Sequence, residues 1–214
     1  MEIILARHGN TFKPNDPVVW TGSTNDLPLV EQGIAQAEKL ASCLLEQSFR
    51  PEAIYCGPLL RTRKYAQILS QRLQLANQPI VDKRINEIDY GDWTGLTNDE
   101  VENRFGKKAL TGWDLFSQWP DKGNWGSNEE TIAEEVSSFV RDLAIQHRAT
   151  DKIIVVTSNG RLRYFLKLCT QEFEMRKRNR DFKVKTGNIC KLIWSEGVVT
   201  VSYWNEEPRA HLLR

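Results

Sequence analysis

Long apolar runs are missing from this 214-residue chain. A bilayer span needs about 20 consecutive apolar residues, so no transmembrane helix is expected. Charge of one sign is missing as well. Lys and Arg total 29 against 28 Asp and Glu, a net charge of +1, which gives no argument for a nucleic-acid or membrane-surface partner. Cysteine is sparse. The residues Cys43, Cys56, Cys169 and Cys190 are widely spaced, with no Cys-x-x-Cys pair. This argues against a disulfide frame or a zinc site and for small buried thiols in a reducing compartment. There are no repeats and no low-complexity tracts. The N-terminus runs straight into an apolar segment, so no secretory leader is expected and a cytoplasmic location is.

The composition is that of an ordinary globular protein, 40% hydrophobic and 27% charged, and its length suits one domain spanning 1–214. Apolar segments alternate with helical patterns. Strands are expected at Glu2–Ala6, Ala53–Cys56, Ile80-Val81 and Lys152–Thr157. Helices are expected at Leu29–Gln47, Leu60–Leu73, Asn98–Phe105, Glu129–His147 and Leu162–Cys169. Ile189–Trp194 and Val198–Trp204, joined through Ser195-Glu196-Gly197, form a hairpin whose edge could pair two copies of the chain. This order predicts an α/β fold, a mostly parallel central sheet with helices on both faces in three layers. Ligands in such folds bind beyond the carboxyl ends of the strands, where His8, Gly57 and Ser158 should converge.

Four residues carry candidate chemistry. Arg7 and His8 directly follow Ile3-Ile4-Leu5-Ala6, a strand end where a cation and an imidazole can meet a phosphate. Gly9 would let the backbone approach a ligand. Arg61, in the first turn of a helix, opposes the helix dipole unless an anion sits between them. Glu87, among apolar residues, is placed to give up a proton. The three-residue Arg-His-Gly motif is not specific on its own. Gly112–Gly126 carries Trp113, Trp119 and Trp125 among Pro, Asp, Lys and Gly, and suggests a cap insertion near 106–128 glued down by its aromatic rings. The basic run Arg176–Arg180 is expected to be a solvated loop.

Taken together, the motifs resemble those of the histidine phosphatase superfamily, in its phosphoglycerate-mutase-like branch. The resemblance rests on Arg7-His8-Gly9-x-Thr11, on Gly22 with Asp26-Leu27-Pro28-Leu29, and on Gly33-x-x-Gln36-Ala37. It continues through Pro58-Leu59-x-Arg61, Glu87-x-x-x-Gly91-x-Trp93-x-Gly95 and Gly160-x-x-Arg163. It implies a metal-independent, cofactor-free phosphatase of a small phosphomonoester, with a phosphohistidine formed at His8. Arg7 and Arg61 would neutralise the phosphoryl oxygens and Glu87 would be the acid and base. Asn10, Thr11, Ser158 and Asn159 join the phosphate-binding set.

The chain also departs from the family pattern. A second histidine usually follows the last central strand. Here the segment is Thr157-Ser158-Asn159-Gly160, and the only other histidines are His147 and His211. Aligning on Gly160 and Arg163 puts Ser158 at that place, whereas a slip of one residue puts Asn159 there. Arg161 or a folded-back His211 could supply the lost charge. Pro14 and Asn15 imply a reshaped loop over Lys13–Trp20. The alternatives are a non-catalytic phosphate-binding protein and a phosphoglycerate-type mutase.

Overall fold

The computed structural model describes residues 1–213. Its strands are β1 (Glu2–Arg7), β2 (Ala53–Cys56), β3 (Ile80–Val81), β4 (Lys152–Thr157), β5 (Ile189–Ser195) and β6 (Val198–Glu206). They form one sheet in the order β3-β2-β4-β1-β5-β6. The first four are mutually parallel, and β5 and β6 add an antiparallel hairpin at one edge. The hairpin turn uses Glu196 and Gly197, both at positive φ (49° and 84°), the conformation that matches strand twist in a two-residue turn.

The helices are α1 (Glu31–Glu46), α2 (Leu60–Arg72), α3 (Asn98–Phe105), α4 (Lys107–Phe116), α5 (Glu129–Gln146), α6 (Asn159–Lys167) and α7 (Thr170–Asn179). Strand alternation explains the three layers. Ile4 and Ala6 of β1 and Ile154 and Val156 of β4 pack on the buried faces of α1 and α2. Ile3, Leu5, Ile153 and Val155 point to the opposite face and pack with α5 and α6. A sheet buried on both sides accounts for strands that are apolar at nearly every position. Among the described residues, no helix is long and apolar enough to cross a membrane.

Three helical expectations need correction. First, α7 occupies much of the stretch assigned to a solvated loop. No residue of α7 is buried, so it has no apolar stripe to reveal it. Its Gln, Glu, Met, Lys and Arg content favours a helix, and its basic end lies at the C-terminus, where cations suit the dipole. Second, α4 lies inside the segment read as an irregular cap, where the Gly, Pro and Asp after it obscured its period. Third, α6 starts at Asn159 rather than Leu162, because a cap from a distant loop extends it.

Residues 107–126 attach to the core through aromatic rings. Trp125 meets Trp93, Trp113, Trp119 and Tyr90 edge-on, at centroid distances of 4.8–5.2 Å. Edge-to-face pairs add to the area they bury. Cys43, Cys56 and Cys190 are buried thiols, whereas Cys169 is half-buried, and all four are free.

Candidate active site

The carboxyl ends of β1, β2 and β4 open on one side of the sheet, and each delivers a side chain. His8 follows β1, and its N–H donates to the Thr157 carbonyl at the end of β4 (3.0 Å). Arg61 sits in the first turn of α2, just beyond β2. Ser158 follows β4 and is the N-cap residue of α6. The loop after β3 brings in Glu87. The glycine beside His8 is also needed for packing. A Cβ on Gly9 would lie 2.3 Å from the Gly33 carbonyl oxygen, so Gly9 permits the close approach of α1.

His8 is 6% exposed, and both of its ring nitrogens are engaged. Nδ1 lies 2.8 Å from the Gly9 carbonyl oxygen and Nε2 lies 3.2 Å from Arg61 Nε. A guanidinium can only donate and a carbonyl can only accept. One tautomer satisfies both contacts: the proton on Nδ1 and the lone pair on Nε2. Burial, then the charges of Arg61 and Arg7, hold His8 well below the ordinary imidazole range, against the opposing pull of the Gly9 carbonyl. The neutral form therefore owes more to burial than to the flanking cations.

The arginines are held by carbonyls. Arg61 is fully buried and donates to Gly22 O (2.6 Å) and Asn25 O (3.1 Å), with Asp26 at 3.9 Å. Asp26 Oδ1 also accepts from Leu60 N (2.8 Å), so a carboxylate sits between Arg61 and the N-terminus of α2, as an anion was expected to. Arg7 donates to Val184 O (2.6 Å), and burial pushes its pKa down to about 10, so it remains a cation at neutral pH. Glu87 accepts from Ile88 N (2.8 Å), Arg161 N (3.2 Å) and Gly160 N (3.3 Å). It thereby caps α6 while also interacting electrostatically with Arg7 and Arg61.

Other expectations fare differently. Arg161 does not face His8: it donates to Asn86 O (2.5 Å) and pairs with Glu135 at 2.6 Å. His211 is exposed on a short turn whose Leu213 is buried in the layer of α1 and α2. Asn10 hydrogen-bonds Gln32 and Thr186 and lines a groove shared with Lys39 and Lys185, not the cleft of Arg7 and Glu87. Thr11 lies half-buried in the same loop. Asn159 Oδ1 accepts from Val184 N (2.9 Å), which fixes the loop segment that Arg7 also grips.

A cleft of about 360 Å³ opens over Arg7 and Glu87. Val18, Val19, Trp20 and Thr21 form one wall, while Tyr90, Asn159, Asp114 and Lys183 contribute elsewhere. Tyr90, Asp114 and Lys183 carried no signal in the sequence, since each belongs to a segment whose position only the fold sets. Among the described residues, no group of three or more His, Cys, Asp or Glu is placed to hold a metal ion.

The sequence model of the histidine phosphatase superfamily (branch 1) matches residues 3–207. The chain belongs to this superfamily. Among curated relatives of this histidine phosphatase superfamily member is a 2,3-bisphosphoglycerate-dependent phosphoglycerate mutase of Methylobacterium. It is 28% identical over 162 residues, covering 75% of this chain and 76% of the relative. Among solved structures, a mycobacterial glucosyl-3-phosphoglycerate phosphatase complexed with VO3 superposes with a TM-score of 0.79. The identity is 21%, over 95% of this chain and 98% of that one. The α-ribazole phosphatase of Shigella flexneri gives a TM-score of 0.73 at 22% identity, over 98% of both chains. These likenesses establish the phosphoglycerate-mutase-like fold of this superfamily member.

Proposed function

We propose that this protein is a metal-independent phosphatase of small phosphomonoesters, working through a phosphohistidine at His8 Nε2. The observation that carries this reading is the tautomer lock, which leaves a lone pair on Nε2 inside a ring of buried cations. In the first step Nε2 attacks phosphorus, the bond to the ester oxygen breaks, and Glu87 passes a proton to that oxygen. In the second step Glu87 takes a proton from water, the water oxygen attacks phosphorus, and the bond to Nε2 breaks, releasing inorganic phosphate. Arg7 and Arg61 neutralise the phosphoryl oxygens, where transition-state charge is spread. Arg61 Nε must leave Nε2 as phosphorus arrives, and its freed N–H then donates to an oxygen of the group being transferred.

The phosphatases among the structural neighbours support hydrolysis, and a cleft of this size admits a small organic ester. The curated relatives favour a second reading, transfer of the phosphoryl group between two hydroxyls of a phosphoglycerate. An aryl phosphate assay decides whether the site hydrolyses. Wild type should release phosphate and His8→Ala should release less by about 10⁴-fold or more; equal release would defeat the reading. Isomerisation of 3-phosphoglycerate without net phosphate release would favour the mutase.

A further inference from the structure

The cleft over Arg7 and Glu87 changes character along its length. Those two residues lie where the phosphate would be held, and the rest of the lining would meet the alcohol part of an ester. That outer lining holds two carboxylates, Asp99 and Asp114, and one ammonium, Lys183. The acids outnumber the cation, next to a phosphate end built on arginines.

The fold commits both acids to this wall. Asp99 belongs to the first turn of α3, whose N-terminal residues Thr97 and Asn98 also line the cleft. A helix N-terminus ordinarily welcomes an anion. Here the chain supplies its own. Glu100 accepts from Thr97 N (2.8 Å) and Thr97 Oγ1 (3.0 Å) in a capping box, and Asp99 adds a second acid to the same turn. Asp114 is set by a buried cation. Arg163 is bonded to the Trp113 carbonyl and stacked on the Trp113 ring (4.3 Å), and its guanidinium lies 3.8 Å from the Asp114 carboxylate. Arg163 approaches from the core, while the Asp114 side chain is 38% exposed and faces the cleft. Asp99 and Lys183 are both exposed, so water and salt screen them alike, and Asp114 is the more sheltered charge.

The third component is an indole. Trp20 is fixed by its Nε1 donating to Asn98 Oδ1 (3.0 Å) and by edge-on contacts with Tyr90 and Trp93 at 5.0 and 5.1 Å. An indole beside carboxylates suits a hydroxyl or an ammonium. A carboxylate on the substrate would meet Asp114, Asp99 and a helix N-terminus that is already filled. We propose that Asp99 and Asp114 set the substrate class: phosphomonoesters whose alcohol part is uncharged or bears an ammonium, and carries no second anion. The proposal rests on the phosphatase reading and narrows it. Phosphoglycerates, which carry a carboxylate, are then poor substrates.

The test measures phosphate release from three esters that differ in the charge of the alcohol: phosphoethanolamine, glycerol 3-phosphate and 3-phosphoglycerate. With wild type, kcat/KM for each of the first two should exceed that for 3-phosphoglycerate by about 10- to 100-fold. In the double variant Asp99→Asn, Asp114→Asn the ratio of glycerol 3-phosphate to 3-phosphoglycerate should shrink to within about threefold, through a gain on the carboxylated ester. A merely structural role for the two acids would lower all three rates together and leave the ratio unmoved. A wild-type rate on 3-phosphoglycerate that equals or exceeds either of the others, or an unmoved ratio in the variant, would overturn the proposal. If wild type hydrolyses none of the three, the phosphatase reading falls, and calorimetric binding of the same esters decides the rest. Weaker binding of 3-phosphoglycerate than of the other two would uphold the charge selection, and equal or tighter binding would overturn it.

Discussion

β1 and β4 run side by side, end level with one another, and hand the chain to residues in opposite conditions. His8, beyond β1, has a partner on each ring nitrogen, and together these fix its tautomer. Ser158, beyond β4, is just as buried and has none among the described residues. The sheet gives the two positions equivalent reach. What differs is the surroundings: the loop Gly22–Asp26 braces the arginine that faces His8, whereas Glu87 takes the amides that would have engaged Ser158. Position in the sheet brings a side chain to the site, and the neighbours decide what it binds.

The sharpest way to break the comparison, after removal of His8 itself, is to disturb Glu87 through α6. A Cβ at Gly160 would lie 2.3 Å from the Tyr90 hydroxyl and 2.5 Å from Glu87 Oε1. Gly160→Ala should displace both and return the helix amides to other partners. We expect kcat/KM on an aryl phosphate to fall by about 10²–10³ and stability by about 1–3 kcal/mol, read by steady-state kinetics and thermal unfolding. Retention of full activity would mean that the Glu87 carboxylate need not sit where it does.

The next effect is on pH. His8 is neutral in the folded protein well below its unfolded value of about 6.5, chiefly through burial and then through Arg61 and Arg7. As pH drops below that value the unfolded chain gains a proton that the native imidazole does not. The stability from this residue is thus complete above the unfolded value and is lost as pH falls below it. The acidic limb of kcat/KM should likewise lie below pH 6.5. Arg61→Gln removes one depressing charge, so the limb should move up towards neutrality while kcat falls by about 10²-fold. A limb that stays in place would show that the Arg61 charge does not set the nucleophile.

The smallest expected effect concerns an arginine that sequence alone could have placed at the site. Arg161→Met removes a charge whose partners are Glu135 and the Asn86 carbonyl. Turnover should stay within about threefold of wild type, and stability should fall by about 1 kcal/mol, since Glu135 is partly exposed. A drop in turnover of a hundredfold would put Arg161 back beside the phosphoryl group.

The chain order of the strands, the two-sided burial and the convergence of Arg7, His8, Arg61 and Glu87 were legible in the sequence. Each follows from local apolar patterning or from where a motif sits relative to a strand end, and those are short-range properties. The register of the β4–α6 junction was not legible, since Ser158 and Asn159 are both small, polar and adjacent. Pairing between strands 150 residues apart in the chain settled it, placing Ser158 beside His8 (Arg7 opposite Thr157). Nor could the sequence say that Arg161 turns to Glu135, that Asn10 turns to Gln32 and Thr186, or that Glu87 extends α6. Each of these is a choice among partners distant in sequence, governed by which donors and acceptors packing brings within about 3 Å of each other. The sequence by itself determined which chemical groups the sheet would present. Only the tertiary structure decided which of them bind which neighbours, because hydrogen bonding in a buried site depends on distance and direction.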